Sequence, residues 1–233
     1  CAFIHRVDPD IIDMQEVLHH QLEVLKTGLP EYTVVGVGRE DGKTAGEYAP
    51  IFFKQAKYTL LDQNTFWLCE KPDSVGMVGW DAALTRIATW VKLQDKKTGQ
   101  ILMVVNTHFD HIGTEARRNS ALLIIEKIKE IVGTSPAILT GDFNVSEDWD
   151  AYKTITNNEF ILKDAHKVAG KRTGVDFTYH NFGKIPAEKC EKIDFIFVTP
   201  QIRVISSYIP FSQLNDTLFL SDHNPEIVEL EIK

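Results

Sequence analysis

Polar side chains of a few types cluster where the apolar runs of this sequence stop. Glu16 closes the run that starts at Asp10. His108, Asp110 and His111 follow Ile101 to Asn106, and Asp142 and Asn144 follow Ala137-Ile138-Leu139. Asp194 lies inside Ile193 to Val198, and Asp222-His223-Asn224 precedes Ile227 to Ile232. Rigid scaffolds commonly present reactive groups at such ends. Carboxylates, imidazoles and carboxamides on five tips suit a hard cation combined with general acid–base work. Each tip alone has a duller explanation. Glu16 could be a helix N-terminal carboxylate favoured by the dipole, Asp142 and Asn144 are turn formers, and Asp222-His223 could be a loop pair. Asp194 is harder to dismiss, because a carboxylate inside an apolar strand needs a partner.

The elements that would hold these groups are legible from periodicity. Asp10 to Val17 reads as a short strand with a polar tip, followed by a helix on Leu18, Leu22 and Leu25 that Gly28 and Pro30 stop. Tyr32 to Val37 reads as a strand and Gly36 to Gly46 as a loop. Ile51 to Phe53, Tyr58 to Leu61 and Phe66 to Cys69 read as strands, with Asp62-Gln63-Asn64 as a turn. Arg86 to Leu93 and Ile101 to Asn106 form a hairpin across Lys96-Lys97-Thr98-Gly99. A helix over Glu115 to Val132 carries Ala121, Ile124, Ile125, Ile128 and Ile131 on one face, which leaves Arg117 and Arg118 on its solvated side. Late strands are expected at Ala137 to Leu139, Ile193 to Val198, Val204 to Ile209 and Ile227 to Ile232. Trp67, Trp80, Trp90 and Trp149 are expected as core or cleft walls, and His5, His19, His20, His166 and His180 as surface or packing residues. Many strands, few helices and no break in composition point to a mixed α/β domain.

Lysine and arginine total 25 against 33 acids, a net charge of −8. A protein that covers many nucleic-acid phosphates usually carries a basic face, so the balance leans towards a small phosphate ester, or towards a metal that supplies the local positive charge. Cys1, Cys69 and Cys190 are odd in number and lack metal-site spacing, which argues against a disulfide framework or structural zinc. No apolar run is long enough to span a bilayer. Compartment does not follow from these residues.

Taken in order, Gln15-Glu16, Asn106-Thr107-His108, Gly141-Asp142-Phe143-Asn144, Ile193-Asp194-Phe195 and Ser221-Asp222-His223 resemble the motifs of the endonuclease/exonuclease/phosphatase superfamily. That superfamily includes deoxyribonuclease I, apurinic endonucleases, sphingomyelinases and deadenylases. The resemblance runs from Asp10 to Pro225. It implies an α/β four-layer sandwich, with two stacked mixed β-sheets flanked by helices, over residues 1–233 as a single domain. It implies metal-dependent hydrolysis of a phosphate ester, with Glu16 and Asp222 as ligands of Mg²⁺ or Mn²⁺. Asp142 would position or deprotonate the attacking water, and Asn144 would hold a non-bridging oxygen. Asp194 would orient and charge His223, which with His108 would hydrogen-bond the phosphoryl group. Arg39, in the loop Gly36 to Tyr48, and His111 are candidate substrate contacts.

The resemblance also implies a first strand bearing an asparagine ahead of Ala2 to Pro9. We therefore expect the parent protein to carry an extended segment with an Asn upstream of Cys1. A small organic phosphate acted on by a monomer is the expected substrate. Nucleic acid is the alternative, and an inactive phosphate- or partner-binding module is the reading from another class. Asn144-Val145-Ser146 matches a glycosylation acceptor, but a glycan there would block the cleft, so the match is read as accidental.

Overall fold

Period-two alternation and runs of Val, Ile and Phe produce most of the strands. The computed structural model describes residues 1–233 apart from Thr134, Glu159, Ile161, Asp216 and Thr217. In chain order the elements are α1 (Ala2–Val7), β1 (Ile11–Asp13), α2 (His19–Gly28), β2 (Tyr32–Val35), β3 (Ile51–Lys54), β4 (Tyr58–Trp67), β5 (Ile87–Asp95) and β6 (Ile101–His108). Then come α3 (Thr114–Val132), β7 (Ala137–Asp142), α4 (Asp150–Thr156), β8 (Lys163–Asp164), α5 (Ala165–Val168) and β9 (Lys171–Gly174). After a 3₁₀ turn at Ala187–Lys189 follow β10 (Asp194–Val198), β11 (Ile202–Ile209), β12 (Gln213–Asn215), β13 (Leu218–Phe219) and β14 (Ile227–Ile232).

A six-stranded sheet in the order β4-β5-β6-β7-β10-β8 is the centre of the molecule. β6 and β7 run parallel, while the other pairs in this sheet are antiparallel. Two three-stranded sheets, β1-β3-β2 and β14-β11-β9, form the second sheet layer. Ile51, Phe53, Val204 and Leu230 from those sheets pack against Val91, Val104 and Ile138 of the central one. Phe52 points the opposite way and packs with Leu22, Leu25 and Ile4 under α1 and α2, as strand alternation requires. The other face of the central sheet is covered by α3 and α4 through Ile124, Ile128, Tyr152 and Ile155. The order helix, sheet, sheet, helix is the four-layer sandwich that the motifs imply.

Three local readings change. The strand expected over Asp10 to Val17 stops at Asp13, so Glu16 stands beyond it in a bend and not at its tip. Asp62-Gln63-Asn64 is no turn but the middle of the ten-residue β4, with a bulge between Leu60 and Asp62. β4 is an edge strand and these residues are exposed, so polar side chains cost it nothing. Arg117 is not solvated: it is only 4 % exposed. Its Nη1 donates to the Asp110 carbonyl at 2.9 Å, and its guanidinium lies 4.9 Å from the centre of the Trp149 ring. Arg118 is exposed as expected.

The core beneath the helices is aromatic. Phe197 is fully buried, with ring centres of Phe143, Phe195 and Tyr152 at 5.2, 5.5 and 5.6 Å. Phe197→Ala removes that volume from a site hemmed in by two strands and a helix, where collapse is limited. We expect a loss of about 3–5 kcal/mol, read as a lower urea midpoint at unchanged slope.

Candidate active site

Strand register does most of the assembly. His108 pairs with Asp142 across β6 and β7, and Asp142 pairs with Asp194 across β7 and β10. Three tips therefore stand on adjacent strands at one edge of the central sheet. The strands approach closely there, because a Cβ on Gly141 would sit 2.3 Å from the Thr107 carbonyl oxygen. Only glycine fits before Asp142.

Asp194 meets His223 across the sheet edge, with Oδ2 2.7 Å from Nδ1. Its backbone is clamped from both sides. Thr178 Oγ1 accepts its N–H at 3.1 Å, and Lys192 Nζ donates to its carbonyl at 2.6 Å. The same ammonium reaches Glu226 Oε2 at 2.7 Å, in an ion pair whose side chains are almost fully buried. Tyr179 stands against the His223 ring, 4.9 Å between centres.

Asn144 takes a left-handed φ of 49°, and its backbone N–H donates to Asp142 Oδ1 at 2.8 Å. Its amide nitrogen donates to the Phe109 carbonyl at 3.0 Å and contacts His108 Nε2 at 3.2 Å. That leaves His108 Nε2 as the acceptor, 3.5 Å from Asp142 Oδ2 and 3.9 Å from Glu16 Oε1. Glu16 sits in a left-handed bend at φ 59°. The preceding residues are anchored by buried Asn106, which accepts from Gln15 Nε2 at 2.6 Å and donates to the Met14 and Pro50 carbonyls.

Glu16, His108, Asp142, Asn144, Asp194, Asp222 and His223 thus converge, whereas Arg39 and His111 do not touch that group directly. Arg39 is a wall residue, with Nη1 bonded to Glu47 Oε2 at 2.5 Å. His111 is exposed, and its Nδ1 accepts from Arg86 Nη2 at 3.1 Å. Arg86 and Glu47 belong to none of the ordered motifs, yet both stand in this wall. Arg86 is buried against Asp110, and Arg39, Glu47, Arg86 and His108 line one small cavity. Its signal was a charged residue opening the apolar run Ile87 to Val91.

Two electrostatic halves result. Burial raises Asp142 to about 8, and the Asp194 charge adds to the rise. His223 moves to about 9: burial opposes its charge, but the hydrogen bond and charge of Asp194, then Asp142 and Asp222, outweigh it. The imidazole is therefore protonated through the neutral range. His108 goes the other way, well below the usual histidine range, because it is buried and faces Arg86 and Arg39. One histidine is charged and the other neutral.

The donor set suits a hard divalent cation. Burial raises Glu16, and repulsion from Glu47 and Asp222 raises it further, a repulsion that a cation between them would relieve. Asp142, Asp194 and His223 also offer ligand atoms within 4.8 Å of one another. Glu16 with Asp222, and Asp142 with Asp194 and His223, are thus the groups that could hold a cation.

Residues 1–223 match the family model described as Endonuclease/Exonuclease/phosphatase family. An endonuclease/exonuclease/phosphatase from Bacteroides vulgatus is 63 % identical, with TM-score 0.97 over all of this chain and 88 % of that one. A mannosyl-6-phosphatase from Bacteroides thetaiotaomicron is 37 % identical, with TM-score 0.92 over 99 % of this chain and 88 % of the other. The human Nocturnin catalytic domain shares the fold at TM-score 0.78 and 18 % identity, over 99 % of this chain and 83 % of its own. This chain belongs to the endonuclease/exonuclease/phosphatase family.

Proposed function

We propose that this protein hydrolyses a phosphomonoester of a small organic alcohol with the help of Mg²⁺ or Mn²⁺. The carrying observation is the charged His223–Asp194 pair standing beside a buried carboxylate of raised proton affinity, Asp142. Burying two carboxylates side by side serves packing poorly, and it matches the needs of proton abstraction opposite a cationic donor. The net charge of −8 favours a small substrate over a long polyanion. The mannosyl-6-phosphatase named above supports a phosphorylated sugar.

In this reading Glu16 and Asp222 hold the cation, which when bound polarises a phosphoryl oxygen and neutralises charge. Asp142 accepts the proton of the attacking water, its carboxylate aimed by the Asn144 N–H. His223 donates from Nε2 to the phosphoryl oxygens as negative charge accumulates, while Asp194 holds Nδ1–H and fixes the ring. An entering phosphoryl oxygen competes with His108 Nε2 for one Asn144 amide hydrogen, which supports Asn144 as the donor to a non-bridging oxygen and His108 as the acceptor that holds the amide in place. Arg39, Arg86 and His111 supply the positive wall beyond them.

His223→Gln and Asp142→Asn are each expected to lower kcat by about 10²–10⁴-fold in a protein that still folds, with His223→Gln the less stable of the two because it leaves Asp194 without its charged partner. Phosphate release from hexose phosphates, simple alkyl phosphates and oligonucleotides, with Mg²⁺ or Mn²⁺, checks this. Wild-type turnover by both variants would remove the reading.

Because Asp142 must be ionised and His223 protonated, activity should climb as pH rises towards about 8 and fall as it rises through about 9. Asp194→Asn takes away the main favourable partner, so the basic limb should move to lower pH. A limb that stays in place in the pH profile of kcat/KM would assign it to another group. For stability the sign is the same. A histidine raised on folding stabilises fully below its ordinary value, about 6.5, and that contribution is lost as pH climbs through about 9.

A further inference from the structure

A second concavity lies on the same edge of the central sheet. β6 and β7 run parallel and end at His108 and Asp142. The segments that follow them, leading into α3 and α4, enclose a cleft of about 270 Å³ lined by Thr114, Arg117, Arg118, Val145, Trp149 and Asp150, among others. The cleft continues the active-site loop, since Val145 follows Asn144. It is also joined to the site by contact: Trp149 lies over Arg117, Arg117 holds the Asp110 carbonyl, and Asp110 pairs with Arg86.

Trp149 is 41 % exposed although the buried Arg117 guanidinium backs its ring. Stacking on a fixed cation holds an indole in place while leaving apolar surface to solvent. Arg117 Nε is buried without a hydrogen-bond partner. At the rim, Arg118, Asp148 and Asp150 are exposed, and among the described residues neither Arg118 nor Asp150 forms an ion pair. Two carboxylates at this rim repel a phosphate backbone. A ring with an apolar face and outward hydroxyls fits: its C–H face covers the indole, and its hydroxyls donate to Asp148 or Asp150 and accept from Arg118.

We propose that this cleft binds the pyranose ring of the substrate, with Trp149 as platform and Arg118 and Asp150 as hydroxyl partners. The inference rests on the phosphomonoesterase reading and deepens it, because it makes the substrate a phosphorylated sugar and Trp149 its specificity residue.

Two measurements test it. In Trp149→Ala, KM for a hexose 6-phosphate should rise about tenfold, while KM for ring-free propyl phosphate stays within about twofold. Trp149→Phe should restore most of the difference, and Arg118→Gln, at an exposed position, should give a smaller shift of the same kind without loss of fold. Independently of turnover, saturation-transfer NMR with a methyl hexopyranoside should show contact on one ring face, lost in Trp149→Ala. Equal KM changes for ringed and ring-free esters, or an NMR contact unaffected by Trp149→Ala, would overturn the proposal. An intact NMR contact in a protein that cleaves no phosphate ester would support the platform and count only against the catalytic reading.

Discussion

Asp142 and Asp194 are direct neighbours across β7 and β10, so the sheet holds two carboxylates together where water is largely excluded. Like charges at such range cannot both ionise without compensation. The surroundings answer that constraint. His223 is held charged against Asp194, and Lys192 brings a buried ammonium to the Asp194 carbonyl. Glu16 and Asp222 add further repulsion on the open side, where a divalent ion would be drawn. The raised proton affinities of Asp142 and His223 follow from burial and from this packing of charges, whereas His108 is depressed by its own burial and by Arg86 and Arg39.

Keeping the carboxylates in register requires a scaffold that does not yield. The layer of Phe143, Phe195, Phe197 and Tyr152 rings beneath the strands supplies volume and directional packing. Around them, buried polar side chains bind backbone rather than solvent. Asn106 fastens the bend that carries Glu16, Thr178 and Lys192 clamp Asp194, and the Lys192–Glu226 pair links the approach to β10 with the approach to β14. Breaking one partner of such a pair leaves an unpaired buried charge, which costs more than the pair contributes. Residues remote from any substrate are therefore under the same constraint as those in contact with it.

The site is also divided in charge. Carboxylates gather around Glu16, Asp142 and Asp222, while Arg39, Arg86 and His111 form a wall in which each arginine is partly balanced by Glu47 or Asp110. Partial balance matters, because a fully free pair of buried guanidiniums would be as costly as the carboxylates opposite. Asp110 further links this wall to Arg117 and the exposed Trp149, so the charge pattern of the site continues into the neighbouring cleft.

Residue types and their order determined much by themselves. The main strands and α3 were readable, because alternation is a local property of the chain, whereas the convergence of Glu16, His108, Asp142, Asn144, Asp194, Asp222 and His223 was implied only by the resemblance that their ordered motifs carry. Asp62-Gln63-Asn64 misled because turn-forming residues are also tolerated on an exposed edge strand, and edge position is not a local property. Arg117 misled for the complementary reason: it lies on the buried stripe of α3, but its charge suggested solvent, and only the approach of Asp110 and Trp149 makes its burial tolerable. Tertiary structure alone decided that Arg39 pairs with Glu47, that Arg86 stands in the site wall and that one histidine is charged while the other is neutral. Those outcomes depend on which groups meet across tens of residues and how much water they lose.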